Sequence, residues 1–241
     1  MLAASEGIIL SYRKYGENSL IITIYTKNAG RQSYILNALK SGKKRSGKGS
    51  LQPLYLVDLV AYYKETREIQ RIKEIKNNPV YQNIPFDIHR SSQALFIAEI
   101  LNKTLREQES SPLLFDFIRN SLIYMDLTEN PLPNFHLYFL FRLTEFLGFL
   151  PDTKKTCDDG WFDLQKGTVE QHRPVHPYYL DKESTNAFCR LAGLKLRELD
   201  NLKLSRTHRN HMTIKLLEYY QLHFEHLGEI KSLKVLQEVF S

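Results

Sequence analysis

Gly42-Lys-Lys-Arg-Ser-Gly47-Lys48 has nearly the spacing of a phosphate-cradling loop, in which backbone N–H groups and a lysine hold the phosphates of a nucleotide. That chemistry needs Ser or Thr after the lysine to hold magnesium. It then needs a helix whose N-terminus faces the phosphates. Here Gly49 stands in the hydroxyl position, and Leu51-Gln-Pro53 follows where the helix should open. The nucleotide reading fails on both counts. What remains is the segment Lys40–Ser50, with five positive charges, no negative charge, no apolar side chain and three glycines. It has nothing to bury, and its loose backbone lets the charges move to meet a partner. A polyanion fits, nucleic acid first of all. The plain alternative is a solvated loop without a ligand.

Other groupings are weaker. His172 and His176, His208 and His211, and His223 and His226 have spacings that could ligate a metal, with Cys157 and Cys189 near the first pair. Pro174 and Pro177 break up that pair, and no glutamate completes a His-Glu-x-x-His site, so no metal is expected. Asp152, Asp158, Asp159 and Asp163 could do acid–base work or hold magnesium. They lie among Lys154, Lys155 and Lys166 with no rigid element evident, which reads as a solvated loop. No serine or cysteine sits in the glycine-flanked turn of a nucleophile. An enzyme is not supported, and no catalytic residue or cofactor is assigned.

The charges are unevenly placed. Residues 1–80 carry 14 Lys and Arg against 6 Asp and Glu, whereas residues 81–241 carry 19 against 21. One part therefore suits an anionic partner, and the rest has another task. The basic part reads as strands: Gly7–Tyr15, Leu20–Tyr25, Arg31–Asn37 and Leu54–Tyr63, with a turn at Asn28-Ala-Gly30. Arg67–Lys76 is ambiguous, because Ile69, Ile72 and Ile75 recur at a spacing nearer that of a helix. Four or five short strands suggest a small barrel of the OB type.

Past Asn77-Asn-Pro79 the period is helical. Helices are expected over His89–Arg106, from Ser111-Pro112, from Leu132-Pro133 to Gly148, over Arg206–Leu227 and over Ser232–Phe240. The helix ending at Gly148 is apolar nearly all round, which places it at the centre of a bundle. Residues 151–181 form a long insertion with a hairpin around Gln165-Lys-Gly167. The fold class is α+β: a five-stranded OB-fold barrel over residues 1–78, then an all-helical domain over 79–241 with the hairpin-containing insertion. No apolar run is long enough for a membrane span. Two cysteines are too few for a disulfide framework and suit a reducing cytosol.

Seven tyrosines lie near the basic segment: Tyr12, Tyr15, Tyr25, Tyr34, Tyr55, Tyr62 and Tyr63. On an outer strand face they would stack against bases; otherwise they cover the barrel.

A series of short motifs recurs in order: Glu6-Gly-Ile-Ile-Leu10, Tyr15-Gly-Glu-Asn-Ser-Leu-Ile22, Tyr25-Thr26 with Gly30-Arg31, the segment Leu39–Ser50, and Leu51-Gln-Pro53. It continues with Ala98-Glu-Ile-Leu101, Leu114-Phe115, Phe146-Leu-Gly-Phe-Leu-Pro151 and the closing Leu227–Leu236. This series resembles the bacterial recombination mediator family RecO over most of the chain. The resemblance implies an N-terminal OB-fold and a C-terminal helical domain, with binding of single- and double-stranded DNA and annealing of complementary strands. It implies work with RecR in replacing single-stranded-DNA-binding protein by RecA recombinase, in the cytoplasm at the nucleoid. Many members of the family carry a four-cysteine zinc site after the Leu-Gly helix, where this chain keeps only Cys157.

Arg13, Lys14, Arg31, Lys40, Lys43, Lys44, Arg45 and Lys48 are expected to contact phosphates. The resemblance also points to the acidic, phenylalanine-ended tail of single-stranded-DNA-binding protein as a partner of the helical domain. Phe139 and Leu143 would line a slot for its ring, with Arg142 and Arg119 as cations for its carboxylates. Alternatively, Arg142 pairs with Glu145 or another acid. An RNA-binding OB protein is the competing reading, and a hydrolase using the acidic loop a third.

Overall fold

A computed structural model describes residues 1–37, 51–106, 109–153 and 159–240. Lys40, Lys43, Lys44, Arg45, Lys48, Cys157 and Asp158 lie outside the described residues. The chain divides into two compact units, Met1–Leu127 and Thr128–Ser241.

The first unit is built on five strands: β1 (Leu2–Tyr15), β2 (Ser19–Thr26), β3 (Gly30–Asn37), β4 (Leu56–Tyr62) and β5 (Ile69–Asn77). They close in the order β1-β2-β3-β5-β4, with β3 and β5 parallel and every other pair antiparallel. Ile9, Ile22, Ile24, Val57, Leu59 and Ile72 fill the interior, and Leu51 closes on it from the loop side. Gly7 is needed here because a Cβ would come within 2.5 Å of Ile24 Cγ2.

The ambiguous segment is therefore a strand. Its three-residue spacing has a local cause. Ile72 pairs with Ala61 and Ile75 with Leu59, and a bulge lies between these two pairs. The extra residue resets the alternation, so both isoleucines face inward although they are three apart.

On β1, Ile8, Ile9 and Leu10 are all buried, because both faces of the strand are covered. Ile9 points into the barrel. Outside lie helices α1 (Ile88–Thr104) and α2 (Pro112–Leu127), which belong to the same compact unit although they follow residue 78. Tyr25 on β2 stacks on Phe115 of α2, Lys27 pairs with Asp116 at 2.8 Å, and Arg119 pairs with Glu6 at 3.1 Å. Ser111 precedes Pro112 and accepts from the Leu114 N–H at 3.4 Å, the cap expected from the sequence. Asp126, only 2% exposed, closes α2 by accepting the backbone N–H groups of Gln82, Asn83 and Ile84. Arg90 adds donors to the carbonyls of Met125 and Asp126.

In the second unit α3 (Phe135–Leu147) is buried on every face from Phe135 to Phe141 and opens to solvent at Glu145, as its nearly all-round apolar surface predicts. It ends at Gly148, whose φ of 84° is the left-handed conformation that terminates helices. Around it stand α4 (Lys182–Gly193), α5 (Arg206–His223), α6 (Ser232–Val239) and a 3-10 turn at Leu196–Asn201. The expected hairpin is present as β6 (Trp161–Asp163) and β7 (Thr168–Glu170). A short third strand, β8 (Tyr179–Leu180), pairs with the other side of β6.

His136 is 1% exposed on α3 and is bonded to the Thr213 hydroxyl at 3.0 Å. Burial, aided by the Arg209 charge, lowers its pKa to about 3. The unfolded imidazole takes a proton near its ordinary pKa of 6.5, and the folded one does not until about 3. Stability is therefore complete above pH 6.5 and is lost as pH falls through that window, by about 1.4 kcal/mol per pH unit. The acid limb of stability against pH should flatten in His136→Gln. Parallel acid limbs in the two proteins would assign the loss to other groups.

Candidate nucleic-acid interface

The β1–β2 hairpin turns at Gly16, where φ is 61°. Arg13, Lys14, Tyr12 and Tyr15 lie along its first arm, and all four side chains are exposed. Among the described residues none of these cations has an ion-pair partner. Tyr15 pairs with Ser19, and Ser19 pairs with Asn37, the last residue of β3. Asn37, the last described residue before the basic segment, therefore lies at the end of the barrel that carries this hairpin. Tyr12 and Tyr15 are 43% and 56% exposed, so ring faces and cations share that end.

Strand register places two further residues on the same outer face of the sheet, separated from the hairpin by Ile21, which is only 5% exposed. Arg13 pairs with Ile21, Ile21 with Ile35, Ile35 with Arg71, and Arg71 with Tyr62. Side chains of paired residues share a face, so Arg71 and Tyr62 belong to the row that begins at Arg13. Tyr62 is 48% exposed. The ambiguous spacing of Arg67–Lys76 gave Arg71 no face; as a strand residue it is exposed. Of the other tyrosines, Tyr25 and Tyr34 are buried, and burial pushes the Tyr34 phenol up to about 12. Tyr55 is half-buried, edge-on to Tyr81. These three are packing residues.

Arg31 has a different role from the one expected. Its Nη1 donates to the carbonyls of Asn102 and Leu105 at 2.8 and 2.7 Å, and its Nη2 to Asn102 Oδ1 at 3.1 Å. It closes the C-terminus of α1, whose last carbonyls have no partner in the helix. Burial, with Arg106 nearby, lowers its pKa below the ordinary guanidinium value. Arg31→Ala should cost about 2 kcal/mol of stability, because it removes charge-assisted bonds to carbonyls that stay partly buried. The salt dependence of DNA binding should be unchanged. A wild-type denaturation midpoint together with a shallower salt slope would return Arg31 to the phosphates.

Residues 1–78 match the family described as Recombination protein O N terminal, and residues 85–234 match Recombination protein O C terminal. The chain belongs to the RecO family. It is 32% identical over 241 residues to a DNA repair protein RecO of Phocaeicola vulgatus, and 32% identical over 241 residues to one of Bacteroides fragilis. Identity to that of Christiangramia forsetii is 33% over 241 residues, and in each case both chains are covered completely.

For a RecO-family chain the four-cysteine zinc site of many relatives does not fit, since the whole sequence has two cysteines. Among the described residues no three His, Cys, Asp or Glu side chains converge as a metal site. Of the acidic group, Asp152 and Asp159 are exposed as a solvated loop requires, and Asp163 is the exception. Asp163 is buried on β6, accepts the N–H groups of Gln165 and Lys166, and faces His176 Nε2 at 3.2 Å. It builds the hairpin turn. His223 donates to the Leu164 carbonyl at 2.7 Å. Trp161 stacks edge-on against Tyr179, and Arg173 lies over both rings.

The slot proposed for a protein tail is not formed by its expected residues. Phe139 and Leu143 are each 0% exposed, because the surplus apolar surface of α3 is used to pack neighbours on every side. Arg142 neither stands at an open rim nor pairs with Glu145. Its Nη2 donates to the carbonyls of Ala192 and Leu194 at the end of α4, both at 2.9 Å. Arg119 belongs to the first unit, paired with Glu6. The second unit instead has an open cleft of about 560 Å³ that includes Pro133, Asn134, Lys203, Leu204 and Arg209.

Proposed function

We propose that this RecO-family chain is a non-enzymatic DNA repair and recombination mediator. It binds single- and double-stranded DNA through the barrel, anneals complementary strands, and helps RecA displace single-stranded-DNA-binding protein in concert with RecR. The observation that carries this reading is the hairpin end of the barrel. Arg13 and Lys14, which have no acid partner among the described residues, stand there beside exposed tyrosines, at the end where β3 stops at Asn37 and the sequence continues into five positive charges. Cations along a strand neutralise phosphates and release counterions, and aromatic faces accept bases of any sequence. Such a surface holds DNA without reading it. A mediator needs that property, because it acts on whatever sequence is exposed.

The test is strand annealing with DNA coated by the cognate single-strand-binding protein, run with and without RecR. Binding should weaken linearly in log–log form as salt rises, and complementary strands should pair without nucleotide hydrolysis. Preference for RNA of the same sequence by tenfold or more would favour the RNA-binding reading. Failure to bind either nucleic acid would remove the proposal.

A further inference from the structure

We propose that the cleft at Pro133, Leu204 and Arg209 in the second unit is a second nucleic-acid site, which seats a phosphate between Arg209 and Lys203. This rests on the DNA-binding reading above and adds a second strand to it.

Arg209 is half-buried, and no carboxylate among the described residues lies within ion-pair distance of it. An uncompensated charge in that position is costly, and an anion from outside relieves the cost. The guanidinium is also held in place. Its Nε donates to Asn134 Oδ1 at 3.0 Å, its Nη2 to the Leu204 carbonyl at 3.2 Å, and its face lies 5.7 Å from the Phe240 ring centre. Asn134 is itself fixed by donating to the Leu202 carbonyl at 2.6 Å. This leaves Nη1 without a partner among the described residues in a planar group that needs no reorganisation to meet an oxyanion.

The surroundings repeat the same chemistry. Between Arg190 and Lys215 there are seven Lys and Arg against two acids, Glu198 and Asp200. The rest of residues 128–241 has 8 against 13, so the even balance of this unit conceals a cationic stretch. Lys195, Arg197, Lys203 and Arg206 are exposed and make no ion pair among the described residues. The one acid of the cleft, Asp200, accepts from Asn130 Nδ2 at 2.8 Å. A polymer with a phosphate at every step uses repeated cations of this kind, whereas a peptide terminus needs only one. Pro133 and Leu204 give the apolar wall on which a sugar or base rests. A chain that holds one strand on the barrel and another here makes annealing an encounter between tethered partners.

The test uses the full chain and an oligo-thymidine of about eight nucleotides, short enough for one site. Native mass spectrometry counts the oligonucleotides bound at saturation. Wild type should hold two. Lys203→Glu with Arg206→Glu should hold one, with an unchanged melting temperature, because both residues are exposed. Annealing by this variant should slow about tenfold as the tethering is lost, while affinity for the first oligonucleotide stays within about twofold. Arg209→Lys keeps the charge but loses the fixed planar fork, so it should hold the second oligonucleotide several-fold more weakly than wild type and more tightly than the charge-reversed variant. One oligonucleotide on wild type, or two on the charge-reversed variant, overturns the proposal but leaves the barrel site standing. None on wild type overturns both. A count of one on both proteins, with an acidic peptide bound by wild type alone, assigns the cleft to a protein and overturns the proposal.

Discussion

Asp126→Asn should lower the melting temperature by about 10 °C, from a loss of about 3 kcal/mol. The native carboxylate accepts three backbone N–H groups at 2.8, 2.9 and 2.9 Å from Gln82, Asn83 and Ile84. An amide of the same shape has one oxygen and one NH2 group. The NH2 must face a backbone donor, so at least one buried N–H loses its acceptor. The bonds that survive lose the help of the charge. The side chain is 2% exposed, so water cannot replace what is lost. Asp116→Asn is the control. That residue is much more exposed and has a single lysine partner, so its change should stay within about 1 kcal/mol. Differential scanning calorimetry of the two variants decides the matter. Equal melting temperatures for wild type and Asp126→Asn would show that the carboxylate does not anchor the segment entering α1.

Changing Lys43, Lys44 and Arg45 together to alanine should weaken single-strand binding about 100-fold at 0.1 M salt. Each phosphate contact on a single strand contributes about 0.7 to the slope of log affinity against log salt. Three lost contacts flatten the slope by about 2, and the loss should be nearly the same for every base sequence. Stability should hold, since the segment has no apolar side chain to bury. Fluorescence anisotropy across a salt series measures slope and affinity together. If both match wild type, the segment does not bind DNA, and the hairpin with Arg13 and Lys14 must carry the interaction alone.

Much of the fold was legible because it follows from local pattern. Runs rich in Ile, Leu, Val and Tyr placed β2 and β3, Ser111-Pro112 marked the start of α2, and the all-round apolar surface of α3 marked a central helix. Where legibility failed, a residue three-dimensionally distant had intervened. The bulge opposite Val60 and Ala61 turned the two-residue period of β5 into three and imitated a helix. β8 is two residues long, too short to leave a period, and exists only because β6 has an open edge for it.

The candidate site divides along the same line. Charge, and the sign of the partner it suits, are properties of composition. The excess of cations in residues 1–80 therefore pointed to a polyanion without any structure. What each cation does is another matter. A guanidinium satisfies a phosphate and a row of helix carbonyls with the same N–H groups. Arg31 and Arg142 were thus indistinguishable in the sequence from Arg13, until α1 and α4 brought their last carbonyls within 3 Å. The same holds for the apolar surface of α3. Hydrophobicity says that Phe139 and Leu143 avoid water, but only the packing around them decides whether a neighbour in this chain or a partner provides the cover. Arg209 is the converse case. It is one cation among many in the sequence, and the tertiary structure leaves it half-buried, oriented and without an acid among the described residues, because its neighbours there offer a carbonyl and an amide but no carboxylate.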